Sequence, residues 1–219
     1  PTLLSSRNQI LKIHNIKAQR FIAQKELSKA RVQIIEALKI SPNSLIFLSE
    51  LVKVEISAAR VQEAKKLAEQ VETLAPGSAL SLTISSDVAY AEGMPDIAMK
   101  FISKAWELLK TDAIARKYFN IIAQSDNNKG QAFLQEWAQA IPKSPEPLRK
   151  EGTLALTNKQ YPEATALFEQ ATQKNPNDVV SLNNLAWLYQ RQKDPRAMTT
   201  AQKAHKLMPN NAAIKDTYG

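Results

Sequence analysis

Apolar and polar residues alternate along this chain with the period of amphipathic helices. In the stretch 179–192 the apolar residues recur three and four positions apart, which places them on one helical face: Leu182, Leu185, Ala186 and Tyr189. Lys193-Asp194-Pro195 interrupts the pattern, and proline favours the first turn of a new helix. Small residues then recur on one face up to Pro209, so the stretch predicts two antiparallel helices packed closely together.

The same pattern returns along the chain with a period of about 34 residues, which predicts stacked helix-turn-helix units. Pro142, Pro176 and Pro209 follow one another at nearly this interval. The unit 145–176 shows the pattern most fully, at Leu148, Gly152, Tyr161, Ala164, Phe168, Ala171 and Pro176. On these residues the chain resembles the tetratricopeptide repeat (TPR) family, and we expect Gly152 to allow close helix contact and Phe168 to fill the gap opposite small residues.

The resemblance implies an all-α fold, a right-handed superhelical solenoid of antiparallel helix pairs. We expect residues 1–10 to form an N-terminal extension or cap and residues 11–219 to form a single array. The predicted repeats are 11–42, 45–76, 79–110, 113–142, 145–176 and 179–209, with a truncated seventh at 212–219. This truncation predicts that the intact protein continues beyond residue 219.

The fourth predicted repeat departs most from the pattern. Its turn is predicted over residues 125–130, and Gly130 stands where alanine is usual. Trp137 occupies a position that normally holds a small residue. We therefore expect smaller neighbours to accommodate Trp137, or the next repeat to pack at a different angle.

Composition and motifs argue against an enzyme. The chain contains no cysteine, which excludes disulfides and thiolate sites, and its two histidines lie in opposite end repeats. It contains no recognised catalytic, nucleotide-binding or calcium-binding motif. We predict no catalytic residue, no metal site and no cofactor. No stretch of eighteen consecutive apolar residues is present, so no transmembrane segment is expected.

The remaining route to function is the concave groove, whose inner wall the resemblance assigns to the first helix of each repeat. Its predicted partner-binding residues are Lys53, Asp87, Tyr90, Lys117, Arg149, Asn183, Asn184, Trp187 and Arg191. Such a polar wall suits a protein or peptide partner, with Tyr90 and Trp187 as aromatic anchors. Alternatively, the Trp187 ring covers the first helix of the fifth repeat or the start of the seventh. Arg149 and Asn184 fall on positions used by carboxylate clamps, but Thr153 replaces the required asparagine, so no clamp is predicted.

The charge of the chain allows a second interpretation. The net charge is +8, with balances of +5 over residues 1–75, −1 over 76–142 and +4 over 143–219. A basic array can bind an acidic polysaccharide or another polyanion directly, here through Lys53, Arg149 and Arg191. Solvated lysines that only keep the surface soluble explain the same charge. Nucleic acid is the least favoured partner, because no binding motif accompanies the charge.

The stretch 175–219 carries a more specific resemblance. The run NNLAWLY at 183–189, the turn Asp194-Pro195-Arg196-Ala197 and the ending Asp216-Thr217-Tyr218-Gly219 resemble the closing repeats of bacterial TPR lipoproteins of the PEP-CTERM system. Leucine is usual in that family where Tyr218 stands. The resemblance implies a scaffold in envelope protein sorting or exopolysaccharide export. It also implies a periplasmic, outer-membrane-associated location, with a lipid anchor upstream of Pro1.

Overall fold

The computed structural model describes residues 3–211 and residue 214, and these residues form α-helices without any strand. The helices are α1 (Leu3–Ala23), α2 (Leu27–Ile40), α3 (Leu45–Ser57), α4 (Val61–Leu74), α5 (Ala79–Ala91), α6 (Pro95–Leu108), α7 (Asp112–Ser125), α8 (Asn127–Ala140), α9 (Glu146–Thr157), α10 (Tyr161–Lys174), α11 (Val179–Arg191) and α12 (Arg196–Leu207). The predicted all-α fold is confirmed.

The chain divides into two compact units, Pro1–Leu109 with helices α1 to α6 and Lys110–Gly219 with helices α7 to α12. Inside each unit, helices that follow one another along the chain pack as hairpins, and each hairpin packs on the next. The prediction of a single array across both units stays a prediction.

The structure describes parts of both ends of the predicted array. Helix α1 runs without a break from Leu3 to Ala23, so the described part of the predicted extension continues into the first helix. The sequence between these residues contains no proline or glycine that would interrupt it. The predicted truncated repeat 212–219 lies outside the described residues except for Ile214, which is buried against Leu182 and Ala204.

The hairpin turns share one backbone feature. In five of them a residue adopts the left-handed conformation, with φ between 57° and 78°: Lys25, Ala59, Gly93, Lys159 and Lys193. Lys25 and Ala59 are separated by the same interval as Pro142 and Pro176, and so are Lys159 and Lys193. Only one of the five positions holds glycine, the residue that adopts this conformation without steric cost. The left-handed conformation therefore recurs with the same period as the prolines, although the residue that adopts it varies.

The close helix contact predicted at Gly152 is confirmed. A Cβ atom added to Gly152 would lie 3.1 Å from the nearest atoms of the Phe168 ring, which is fully buried. Small residues on the second helices are also fully buried, including Ala164 and Ala171 on α10. Glycine and alanine thus let the large side chains of one helix reach the backbone of its neighbour.

The fourth hairpin differs from its predicted form. Helix α8 begins at Asn127, directly after Asp126, so the predicted turn over 125–130 is wrong. Asp126 acts as the N-cap, since its side chain accepts hydrogen bonds from the backbone N–H groups of Asn128 and Lys129 at 3.0 and 3.1 Å. Gly130 is therefore helical, and a Cβ atom there would lie 3.0 Å from the Cβ of Ala123 on α7.

Trp137 is accommodated inside this hairpin. Its side chain is fully buried, and its indole Nε1 donates a hydrogen bond to Oδ1 of Asp112 at 2.7 Å. The ring of Phe133 lies 6.3 Å from its ring, centroid to centroid. Gly130 brings α8 close to α7 two turns before Trp137, and the expectation that smaller neighbours make room for the ring stays a prediction.

Candidate protein-binding surface

Three of the predicted binding residues share one face of α11. Asn183, Trp187 and Arg191 are four residues apart, which places them one above another along the helix. Trp187 is 39% exposed, whereas the other two tryptophans, Trp106 and Trp137, are 2% and 0% exposed. Of the three tryptophans, Trp187 is therefore the one whose ring lies at the surface.

The Trp187 ring is held by two neighbours. Its centroid lies 5.9 Å from that of Tyr161, the first residue of α10. The Arg191 guanidinium lies over both rings, with its carbon 4.5 Å from the Tyr161 centroid and 5.6 Å from the Trp187 centroid. A guanidinium stacked on an aromatic face keeps its N–H edge available for a carboxylate. No ion pair to Arg191 is found among the described residues.

These contacts show in part whether the Trp187 ring is available to a partner or covers a neighbouring helix. The ring does cover the preceding hairpin, but it contacts α10 through Tyr161, and much of its surface stays exposed. Tyr161 was missed as a site residue because tyrosine at this position of the repeat pattern was interpreted as packing. The available signal was Trp187, an aromatic residue four positions before Arg191 on α11, the helix that follows α10.

The two asparagines of α11 differ in what they offer to a partner. The Asn184 amide donates to the backbone oxygen of Val180 at 3.0 Å within its own helix. Oδ1 of Asn183 is shielded from solvent, and it has no hydrogen-bond partner in the described part of the structure. Asn183 therefore presents no exposed carbonyl oxygen to a partner, and one side of the Asn184 amide is already engaged.

Arg149 takes part in a line of charges that joins successive hairpins. Its guanidinium contacts Oε2 of Glu146 at 2.8 Å and Oδ1 of Asp178 at 3.2 Å. Glu146 also contacts Arg116 Nε at 3.3 Å, and Asp178 accepts a hydrogen bond from the Ser181 hydroxyl at 2.8 Å. This line runs from α7 through α9 to the start of α11. Arg149 therefore holds helices together, although it was predicted as a partner-binding residue.

Lys117, the remaining predicted residue of the second unit, lies on α7 and is partly exposed. It takes part in an interaction of its own within the described chain. Nearby, Lys150 Nζ lies 5.1 Å from the Phe119 ring centroid, and burial lowers the pKa of its ammonium group. Desolvation favours the uncharged amine at such a position.

The first unit holds the other predicted residues. Lys53 on α3 forms an ion pair with Glu50 at 2.7 Å. Asp87 and Tyr90 lie three residues apart on α5, where Asp87 is partly exposed and Tyr90 is exposed. Each has interactions within the chain. Lys53 and Arg149, two of the three cations named for a polyanion surface, are thus paired with carboxylates, and Arg191 is stacked on aromatic rings.

Neither a cluster of metal-binding side chains nor a membrane-spanning helix occurs among the described residues. No group of three or more histidine, aspartate or glutamate side chains there is placed to hold a metal ion. None of the helices in that part of the chain has the length and apolar character needed to cross a membrane.

Comparison with known proteins identifies the repeat. The tetratricopeptide repeat family model matches residues 167–202, which include the end of α10, all of α11 and the start of α12. The comparison with curated proteins gives no match.

Solved structures with the same fold include several TPR proteins. Yeast Tom70 is 18% identical, with a TM-score of 0.72, over 86% of this chain and 41% of the Tom70 chain. TTC0263, a thermophilic TPR protein of Thermus thermophilus, is 16% identical, with a TM-score of 0.64, over 84% of this chain and 99% of that one. PilW, described as a widely conserved type IV pilus biogenesis factor, is 14% identical, with a TM-score of 0.60, over 96% and 99% of the two chains. This chain is therefore an all-α protein with the fold of TPR solenoids, and it carries a tetratricopeptide repeat within residues 167–202.

Proposed function

We propose that this protein is a non-enzymatic scaffold that binds a protein or peptide partner through α11. The observation that carries the proposal is the exposed Trp187 ring, held in place by Tyr161 and Arg191. Aromatic and arginine side chains supply most of the binding free energy in protein interfaces. A ring that is already fixed loses little conformational entropy when a partner covers it.

The chemistry of this surface favours one kind of partner. Trp187 and Tyr161 offer an aromatic face to an apolar or aromatic side chain. Beside them, the N–H edge of Arg191 can bind a carboxylate through paired hydrogen bonds. Oδ1 of Asn183 is shielded from solvent beneath this surface, so the aromatic face and the guanidinium carry the contact. The preferred ligand is therefore a peptide segment that presents an apolar side chain next to an aspartate or glutamate.

Tryptophan fluorescence tests this proposal directly. Peptides selected from a displayed random library on the wild-type protein are titrated against wild type, Trp187→Ala and Trp187→Phe. We expect loss of the aromatic anchor in Trp187→Ala to weaken binding by about tenfold or more. Trp187→Phe should retain most of the affinity while removing the fluorescence change, because Trp106 and Trp137 are buried.

Leu108→Ala is the matched control, since Leu108 is 61% exposed at the end of α6 and is not among the predicted binding residues. Its circular dichroism and its affinity should equal those of wild type. Selected peptides that bind Trp187→Ala as tightly as wild type would refute the assignment of the site to α11. Loss of binding only in Leu108→Ala would equally refute it.

We propose further that the scaffold works in the bacterial envelope, in protein sorting or exopolysaccharide export. The support is the resemblance of the runs at 183–189 and 194–197 to TPR lipoproteins of the PEP-CTERM system. Fractionation of cells that produce the full-length protein tests the location, and labelling with a radioactive fatty acid tests the anchor. Recovery of the protein in the cytoplasm without label would overturn this assignment and leave the α11 site untouched.

A further inference from the structure

The first unit contains an apolar cleft that is separate from the predicted groove residues. The cleft has a volume of about 450 Å³ and lies between α4 and α6, with α5 as its floor. Ala68, Val88 and Ala89 form the buried apolar base. At one rim, Met94 and Ile97 are 44% and 43% exposed. Clefts of this size and character bind apolar side chains, and methionine adapts its shape to them.

The rim of this cleft is acidic. Glu69 and Glu72 on α4 and Glu92 after α5 line it, together with one cation, Lys65. Lys65 Nζ lies 3.2 Å from Oε1 of Glu92, so that pair is already neutralised. The rim thus keeps two negative charges in a chain whose net charge is +8. An apolar cleft with such a rim is complementary to a helix that presents apolar and basic side chains on one face.

Helix α1 presents a face of this kind. Three of its large apolar side chains are exposed, Ile10 at 45%, Ile13 at 50% and Ile16 at 58%. At about 100° of rotation per residue, these side chains fall within an arc of about 120° that also contains Lys17 and Arg20. The helix carries four cations and no carboxylate. This surface is apolar enough to need a partner and basic enough to select an acidic one.

We propose that two copies of this protein associate by placing α1 of one copy in the α4–α6 cleft of the other. Within one copy α1 is packed on α2, so its exposed face cannot turn into the cleft of its own chain. Isoleucines of α1 lie against Val88, Met94 and Ile97, and Lys17 and Arg20 face Glu69 and Glu72. If each copy supplies both surfaces to the other, the result is a closed symmetric dimer. This contact is independent of the peptide site on α11.

Charge reversal tests the proposal. Sedimentation velocity of wild-type protein over a wide concentration range should show a mass that rises above the monomer. Lys17→Glu/Arg20→Glu and Glu69→Lys should each weaken association by about tenfold, because like charges then face each other. Adding Glu72→Lys to these three substitutions should restore association, since both facing pairs then carry opposite charges again. Ile46→Ser is the control, because Ile46 is 67% exposed on α3 and lies on neither surface.

The outcomes separate clearly. A wild-type protein that is monomeric at every concentration overturns the proposal. So does association that is lost in Lys17→Glu/Arg20→Glu but unchanged in Glu69→Lys, because α1 would then dock on another surface. Circular dichroism of each variant identifies loss of fold. If a reversed variant unfolds, Ile13→Ser and Ile97→Ser on the two exposed faces must each weaken association instead.

Discussion

The buried carboxylate of Glu55 joins the first two hairpins, and its removal should cost less than the removal of its partners. Glu55 is 1% exposed at the end of α3. It accepts a hydrogen bond from Arg31 Nε on α2 at 2.6 Å and a second one from Arg60 Nε before α4. The two arginine side chains are 40% and 37% exposed. The carboxylate is thus enclosed by protein, while both arginine side chains are partly exposed, although Nη2 of Arg60 is shielded from solvent.

This asymmetry fixes the order of the effects. Arg31→Met/Arg60→Met keeps the aliphatic volume of the side chains but leaves a buried, uncompensated carboxylate, which costs about 3–5 kcal/mol. Glu55→Met removes the buried charge and leaves two cations that rehydrate at the surface. The loss then approaches that of surface ion pairs, about 1 kcal/mol. The double arginine variant should therefore be the less stable of the two by at least about 2 kcal/mol, the difference between these ranges.

Hydrogen exchange is the appropriate assay, because stacked hairpins unfold locally and a single unfolding midpoint averages over them. Amides of α2, α3 and α4 should lose most protection in the arginine variant, while those of α10 and α11 keep theirs. Lys39→Met is the control, since Lys39 pairs with Glu36 at the surface and should have no measurable effect. Greater loss of protection in Glu55→Met than in Arg31→Met/Arg60→Met would refute the reasoning.

Three further substitutions test single contacts. Gly152→Ala should lower the thermal midpoint, at a cost of about 1–3 kcal/mol, because its Cβ would lie 3.1 Å from a fully buried Phe168 ring; an unchanged midpoint in calorimetry would contradict this. Burial, and then Glu163, raise the pKa of Glu151, so its contribution to stability is present in acid and is lost as pH rises through that pKa. Glu151→Gln should therefore melt above wild type at pH 7 but not in acid, and the same difference at both pH values would count against the assignment. Lys193→Gly should stabilise by about 0.5–1 kcal/mol in urea unfolding, because Lys193 has φ of 57°, and destabilisation would show that its side chain matters more than its backbone.

Hairpin packing could be predicted from the sequence because equivalent positions make the same helix contacts in each repeat. The resemblance to the repeat family predicts the close approach at Gly152, since the family pattern has a small residue there and a large one at Phe168. The fourth hairpin could not be predicted in this way. Residues 125–130 have the composition of a turn, but Asp126 caps the first N–H groups of α8 and so starts a helix there. A cap depends on the conformation of one residue, which composition does not specify.

The candidate site was predictable only where its residues share a helix. The four-residue spacing of Asn183, Trp187 and Arg191 places them together from sequence alone. The role of Arg149 depends on Asp178, which is distant along the chain and approaches only when α9 and α11 pack. The role of Tyr161 beside Trp187 likewise requires two hairpins to meet. Residues that act through a partner on another helix are thus the ones that pattern reasoning misplaces.

Some cations of this basic chain already have carboxylate partners within the structure. Arg149 lies between two carboxylates, and Arg196 contacts both Asp194 and Glu169, at 2.7 and 2.8 Å. The pairs of Arg149 with Asp178 and of Arg196 with Glu169 join successive hairpins, so these two cations serve packing. Helix α1 is different, because it carries four cations without a carboxylate of its own. A polyanion would have to displace carboxylates at Arg149 and Arg196, whereas an acidic protein surface would meet no carboxylate of α1 itself. The charge of α1 therefore suits a localised contact with an acidic protein surface.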